Sequence, residues 1–275
     1  MPRCTDSLLL LSLNDKSVKL WKIAERASRN VAFHNVEMGR FGGHAPVRSL
    51  RVPPLIRGER SIVATPRRIY SAAHAYHINA LSTCADGLHF LSADDLRVNL
   101  WNLDHAQLAF TLVDVKPPSL EELTEVVTAA EFHPTHGNIF AYATSRGALR
   151  LGDTRAAALC DTPAASFTAP SPRGAEDYFG DIVAAHSDID FSKNGTLLAT
   201  RDYLTVKIWD LAMPRAPLTV LPVHDHLKKR LQYLYDNDYI FDRFQVSGGV
   251  QKKCNREQST CVQVPHCGSK DTQQH

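Results

Sequence analysis

No stretch of this 275-residue chain approaches the roughly 18 consecutive apolar residues that a membrane-spanning helix needs. The longest apolar run, Leu8 to Leu13, is broken by Ser12 and follows a single Arg3. It is shorter than the core of a secretory signal, has no small-residue cleavage site, and reads as a strand. An excess of one charge is also missing. The 31 Lys and Arg against 29 Asp and Glu leave +2, which gives no bulk electrostatic reason to bind nucleic acid or a membrane surface. The six cysteines form no CxxC pair, and Cys254, Cys261 and Cys267 are spaced too widely for the tight ligand pairs of a zinc site. There is no GxSxG elbow, phosphate-cradling glycine loop or HExxH helix. His74 and His77 lie three apart with no third ligand placed by spacing. The expectation is a non-enzymatic, cytoplasmic protein, with the nucleus as a second compartment, that uses no metal and no cofactor.

What is present is a ten-residue pattern that returns four times: SLNDKSVKLW from Ser12, SADDLRVNLW from Ser92, ATSRGALRLG from Ala143 and TRDYLTVKIW from Thr200. Each copy has a small residue, a polar turn, an alternating apolar run and a terminal position. That position holds Trp21, Trp101 and Trp209 in three copies and Gly152 in the fourth. Period-two alternation predicts strands, and Asp and Gly in the turns predict hairpins. Upstream of the later copies lie further alternating runs with turns at Asp86-Gly87, near His136-Gly137 and at Asn194-Gly195. A unit of about four short strands ending in a Trp-Asp-like signature predicts an all-β fold, a WD-repeat β-propeller, with about four blades plus part of a fifth. With 44% apolar residues, a real core is available to it.

The expected organisation is a partial propeller over residues 1–244 and a divergent, disordered tail over 245–275. An extra hairpin is expected at about 45–70, turning at Arg57-Gly58. Asp161 to Asp177, rich in Ala, Ser and Pro, is expected as a surface loop. Ser119, with Glu121, Glu122 and Glu125 behind it, predicts the start of a short helix. His224 to Phe244 predicts a short basic helix, a turn and a strand.

Trp21, Trp101 and Trp209 are expected in the core. Asp15 and Asp95, each six residues before its Trp, and His74, four before Ile78, are expected in a buried hydrogen-bond network that pins the hairpins together. Acidic and apolar residues gather in predicted loops on one side of neighbouring blades: Asp94, Asp95, Glu121, Glu122 and Glu125, with Tyr76, Leu123, Val126 and Phe179. Carboxylates beside exposed apolar anchors suit a basic amphipathic helix or peptide.

Several of these segments carry a family resemblance. NDKSVKLWKI from Asn14, TPRRIYSAAHAYHIN from Thr65, EELTEVVTAAEFHP from Glu121, TRDYLTVKIWDL from Thr200 and YDNDYIFDRF from Tyr235 resemble the B-class WD-repeat regulatory subunits of protein phosphatase 2A, from about Leu8 to Phe244. The resemblance implies a seven-bladed, non-catalytic propeller that joins a scaffold subunit and a catalytic subunit and recruits phosphoprotein substrates or inhibitor helices. It implies a scaffold-binding hairpin carrying Val47, Arg48, Leu50, Val52, Pro53, Leu55, Arg67 and Arg68. It also implies a substrate groove at Tyr76, His77, Asp95, Glu121, Glu122, Leu123, Val126 and Phe179. Against the family pattern the chain is expected to be truncated at both ends, with an unrelated tail from Gln245. Gly152 is expected to leave a c-strand end without side-chain packing. The rival readings are a WD-repeat scaffold of another complex and an interfering truncated isoform.

Overall fold

The computed structural model describes residues 8–31, 55–71, 73–168, 179–248 and 262–263. The chain divides into two compact units, one built on Met1–Ser12 and Val18–Ile69, the other on Leu13–Ser17 and Tyr70–His275.

The first unit is a three-stranded sheet in the order β1 (Leu8–Asn14), β2 (Ser17–Val31), β3 (Leu55–Tyr70). β2 and β3 are 15 and 16 residues long, about twice the length of β1, so they run on together as a two-stranded ribbon. Thr65 donates to the carbonyl of Lys22 at 3.2 Å, and Arg60 lies 3.6 Å from Glu25, both partners well exposed. The turn expected at Arg57-Gly58 is not there. Both residues sit inside β3, because β2 supplies the partner strand along that length. Val47, Arg48, Leu50, Val52 and Pro53 lie outside the described residues, and of Leu55 only the backbone is described, as the first residue of β3. Trp21 is only partly buried, unlike the other two Trp residues. Its sheet has three strands among the described residues, and its indole N–H donates to Ser12 Oγ at 2.9 Å.

The second unit contains three four-stranded antiparallel meanders. The first is β4 (Ile78–Thr83), β5 (His89–Asp94), β6 (Arg97–Asn102) and β7 (His105–Asp114). The second is β8 (Val127–Phe132), β9 (Ile139–Thr144), β10 (Leu149–Asp153) and β11 (Ala165–Phe167). The third is β12 (Asp188–Phe191), β13 (Leu197–Arg201), β14 (Thr205–Asp210) and β15 (Thr219–Pro222). The predicted turns hold: Gly87 and Gly195 take φ of +67° and +72°, the left-handed region that an L side chain resists. These repeated meanders, two of them with Trp one residue before the end of the third strand, are blades of a WD-repeat β-propeller. Part of the expected surface loop is strand. Ala165–Phe167 pairs with Leu149–Leu151, and Phe167 is buried against Trp209 at 5.7 Å between rings. A single aromatic among small residues is enough to anchor an outer strand when a Trp waits beneath it. Residues 169–178 of that loop lie outside the described residues.

Trp101 and Trp209 are fully buried. Trp101 pairs across the strands with Phe90, their rings stacked at 6.1 Å, and Tyr70 meets both edge-on. In the blade that ends in Gly152, the expected packing defect is absent. Gly152 faces Phe140 in the register, and a Cβ on Gly152 would come within 2.3 Å of the Phe140 ring. The ring from β9 fills the space that Trp fills elsewhere, and Phe140 is fully buried.

Ser119 caps a single 3-10 turn, Leu120–Glu122, accepting from the Glu121 N–H at 3.4 Å. A short helix, α1 (Gly180–Ala184), precedes β12. After β15 the chain forms a 3-10 turn (Asp225–Arg230), the helix α2 (Leu231–Asp236) and another 3-10 turn (Tyr239–Phe241). The strand expected near Phe244 is not formed. Leu234 and Ile240 instead bury themselves against Tyr203 and Leu204. Within the segment expected as a disordered tail from Gln245, Val246 is buried among Ala199 and Val206, and its N–H donates to Asp188 at 2.8 Å. Ser247–Gly248 (β16) pairs with Val262–Gln263 (β17), and the remainder of the expected tail lies outside the described residues.

Candidate functional site

In each meander the first strand starts beside the turn that joins the second and third, because Ile78 pairs with Asp94 and Val127 with Thr144. The segments that precede β4, β8 and β12 therefore gather at one end of the sheets, together with those turns. The link between repeats is made by backbone. The N–H of Ile78 donates to the carbonyl of Asp15, and that of Val127 to the carbonyl of Asp95, both at 2.8 Å. Asp15 takes a positive φ of 32°, which turns its carbonyl outward from the tight β1–β2 hairpin.

This corrects the expected hydrogen-bond network. The carboxylate that holds His74 belongs to Asp94, one residue earlier than expected. His74 Nδ1 lies 2.9 Å from Asp94 Oδ2 and Nε2 2.6 Å from Ser92 Oγ, and Trp101 Nε1 donates to the same Ser92 hydroxyl at 2.8 Å. Asp94 also accepts the N–H groups of Leu96 and Arg97, closing the turn. Burial pushes the Asp94 carboxyl up, but the bond with His74 and the two N–H bonds outweigh it and hold it below the usual range. Asp94 is 1% exposed, so it is not a groove residue. Its side chain is committed beneath the loop surface. Asp95 faces outward and accepts from Asn79 Nδ2 at 2.6 Å. The Asp15 side chain pairs with His77 at 2.7 Å, both about 70% exposed.

The other predicted groove residues divide. Tyr76, Glu121 and Glu122 are exposed, and Leu123 and Val126 are half-buried beside them. Val126 is fixed by Ser145, which accepts its N–H at 3.1 Å. Glu125 is turned to Arg150 at 2.6 Å, so its charge is already paired. Phe179 is spent on packing: it stands at the N-terminus of α1 with its ring 5.6 Å from Tyr235 of α2. The surface assembled at this end is thus Tyr76 and His77, Asp95, Glu121 and Glu122, with Leu123 and Val126 as partly covered apolar ground. Carboxylates and an aromatic ring in the loops at this end can hold Lys or Arg side chains and the apolar face of a helix.

Sequence reasoning missed a second feature, a cavity of about 1450 Å³ along the first strands of the three meanders. Its lining includes Asn79, Glu131, Asp188 and Asp190 together with Arg201, His224 and Arg243. Burial, then the neighbouring Asp190, push the Glu131 carboxyl up to about 8. The available signal was Glu131 itself, a carboxylate in the otherwise apolar run of β8. Among the described residues there is no cluster of three or more His, Cys, Asp or Glu side chains placed to hold a metal ion.

No family model matches the chain. It is 47% identical over 253 residues to the B-type regulatory subunit of protein phosphatase PP2A from Candida tropicalis, covering 90% of this chain and 49% of that protein. It is 47% identical over 246 residues to the beta isoform of the 55 kDa B-type regulatory subunit of serine/threonine-protein phosphatase 2A from Carassius auratus, covering 89% of this chain and 56% of that protein. It is 48% identical over 238 residues to the serine/threonine-protein phosphatase 2A regulatory subunit sur-6 of Caenorhabditis elegans, covering 86% and 48%. The chain spans about half the length of these curated relatives. Among solved structures, the β-propeller domain of Myceliophteria thermophila Cps50 (Swd1) is similar at 18% identity and a TM-score of 0.46, over 80% of this chain and 55% of that one.

Proposed function

This chain shares the sequence of the B-type regulatory subunits of protein phosphatase 2A over about nine-tenths of its own length, and we propose that it is a non-catalytic, substrate-specifying subunit of such a phosphatase. The observation that carries the reading is the loop surface. Tyr76, His77, Asp95, Glu121 and Glu122 come from three separate segments, and the register of the meanders brings them to one end. A substrate flanked by Lys or Arg, with an apolar helical face, complements that surface and would be presented from it to a catalytic subunit.

The ribbon of β2 and β3 is the proposed contact to the scaffold subunit. It carries Ile56, Ile62 and Ile69 at 55%, 80% and 52% exposure, next to the exposed Arg67. Large exposed apolar side chains on a ribbon favour a protein partner over water.

The test is co-elution of the purified chain with the phosphatase 2A scaffold and catalytic subunits on size exclusion. Ile62→Asp is expected to weaken that association at least about tenfold without altering the melt, because the residue is 80% exposed. Glu121→Lys with Glu122→Lys is expected to leave association intact. It should lower the dephosphorylation rate of a phosphoprotein with flanking basic residues, and spare a short neutral phosphopeptide. A folded chain that binds neither of the two overturns the reading in favour of a WD-repeat scaffold for another complex.

A further inference from the structure

Arg201 ends β13 and is 1% exposed. Its Nη2 lies 3.1 Å from His224 Nδ1 and 3.5 Å from the carbonyl of Tyr203, while Nε and Nη1 are buried without any hydrogen-bond partner. Among the described residues no carboxylate forms an ion pair with it. The neighbouring Asp202 is taken by Lys207 at 2.9 Å and by the Thr205 hydroxyl. A buried guanidinium with two idle nitrogens is costly, and folded proteins resolve that cost by pairing the charge. Arg201 lines the inner-strand cavity described above, with Arg243 exposed on the same lining and donating to Asn79 at 3.1 Å. The lining also holds the carboxyl groups of Glu131, Asp188 and Asp190.

We propose that this cavity is a docking site for a peptide segment that presents a carboxylate to Arg201 and a cationic side chain to Asp190. A single negative charge neutralises the buried guanidinium, and charge-assisted hydrogen bonds from the two idle nitrogens would satisfy both. A dianion such as phosphate would meet about twice the repulsion that a carboxylate meets from the carboxyl groups on the same lining, so a singly charged group is favoured. The Phe244 ring stands over the guanidinium at 5.1 Å and must swing aside on docking. The main chain beneath it stays pinned, because the Ser187 hydroxyl donates to the Phe244 carbonyl at 2.7 Å and Asp188 holds the Val246 N–H. The site lies along the inner strands and needs no phosphatase partner, so it stands or falls separately from the proposed function.

The experiment uses the full chain and fluorescence anisotropy of a labelled peptide of alternating Glu and Lys. Versions with every Glu changed to Gln, or every Lys to Gln, serve as comparisons, and inorganic phosphate as a competitor. The alternating peptide is expected to bind, and each neutralised version to bind about tenfold less tightly. Arg201→Gln should abolish the preference for Glu over Gln. Arg243→Ala, an exposed change that keeps the fold, should weaken binding about threefold. The melt of unliganded Arg201→Met gives an independent readout. It is expected to rise, because a lone buried charge is removed, and a fall would mean that Arg201 is already satisfied. Equal affinity for all three peptides, no binding to any, or displacement by phosphate at lower concentration than by free peptide would each overturn the proposal.

Discussion

The meander β4–β7 and the meander β8–β11 have the same strand order and solve the same packing problem with different residues. In the first, Trp101 fills the end of the third strand, its indole N–H rests on Ser92, and Ser92 passes the connection to His74 and Asp94. In the second, Gly152 replaces Trp and Ala143 stands where Ser92 stands, nine residues earlier. The donor and its acceptor are lost together, so neither an indole N–H nor a Ser hydroxyl is stranded by the exchange, and the Phe140 ring occupies the volume. The difference teaches that the repeat preserves a filled space and a satisfied hydrogen bond rather than a particular residue. The meander β12–β15 stands between the two. Trp209 donates to Thr200 at 3.1 Å, but among the described residues neither ring nitrogen of the buried His186 makes a well-formed hydrogen bond, and Asp202 is held by Lys207.

The strongest way to break the comparison is to truncate the space-filling residue. Trp101→Ala is expected to cost about 4 kcal/mol in urea unfolding, from lost burial plus the cavity left behind. Gly152→Ala is expected to cost about 2 kcal/mol, because its Cβ runs into Phe140. Combining it with Phe140→Leu should cost less than the sum of the two single changes. Strict additivity would show that Phe140 does not occupy the vacated Trp space.

The histidines provide a finer contrast. His74→Ala strips a partner from both Asp94 and Ser92 inside the protein and is expected to cost about 3 kcal/mol. His186→Phe removes ring nitrogens that make no well-formed hydrogen bond among the described residues and is expected to change stability by less than about 1 kcal/mol at pH 7. A larger loss for His186 than for His74 would reverse the assignment of the paired and unpaired sites.

A further contrast lies in the pH dependence. Burial, with Lys207 nearby, lowers the His186 pKa from 6.5 to about 4. Between those values the unfolded chain binds a proton that the folded chain does not. Stability should therefore be full above pH 6.5 and decline as pH falls toward 4. Glu131 works in the opposite sense. Its raised pKa of about 8, against 4.5, means that the folded chain holds the proton, so stability should decline as pH rises across that interval. His186→Phe should flatten the acid side of a melt-versus-pH curve, and Glu131→Gln the alkaline side. An unchanged profile in either variant would place the responsible group elsewhere.

Much of the fold was legible because alternation and turn chemistry are local. The strands ending at Trp101, Gly152 and Trp209, the turns at Gly87 and Gly195, and the cap at Ser119 all follow from neighbours in sequence. Legibility ended where a distant residue supplied the partner. Phe167 becomes strand only because Trp209 is there to cover it, and the expected turn at Arg57-Gly58 yields to pairing with β2. Within the acidic loops, sequence could not say which carboxylate is presented and which is buried. Asp94 and Asp95 are adjacent and chemically identical, and which one turns inward to His74 depends on the register of β4 against β5.

The sequence by itself determined the all-β repeat, its regulatory family likeness and the location of the acidic loops, because each is written in short-range pattern. Only the tertiary structure decided that Asp94 is buried and Asp95 presented, that Phe140 stands in for a missing Trp, and that Arg201 lines a cavity with two of its nitrogens unbonded among the described residues. Those outcomes depend on which side chains, tens of residues apart, compete for the same volume and the same hydrogen bond, and no local pattern records the result of that competition.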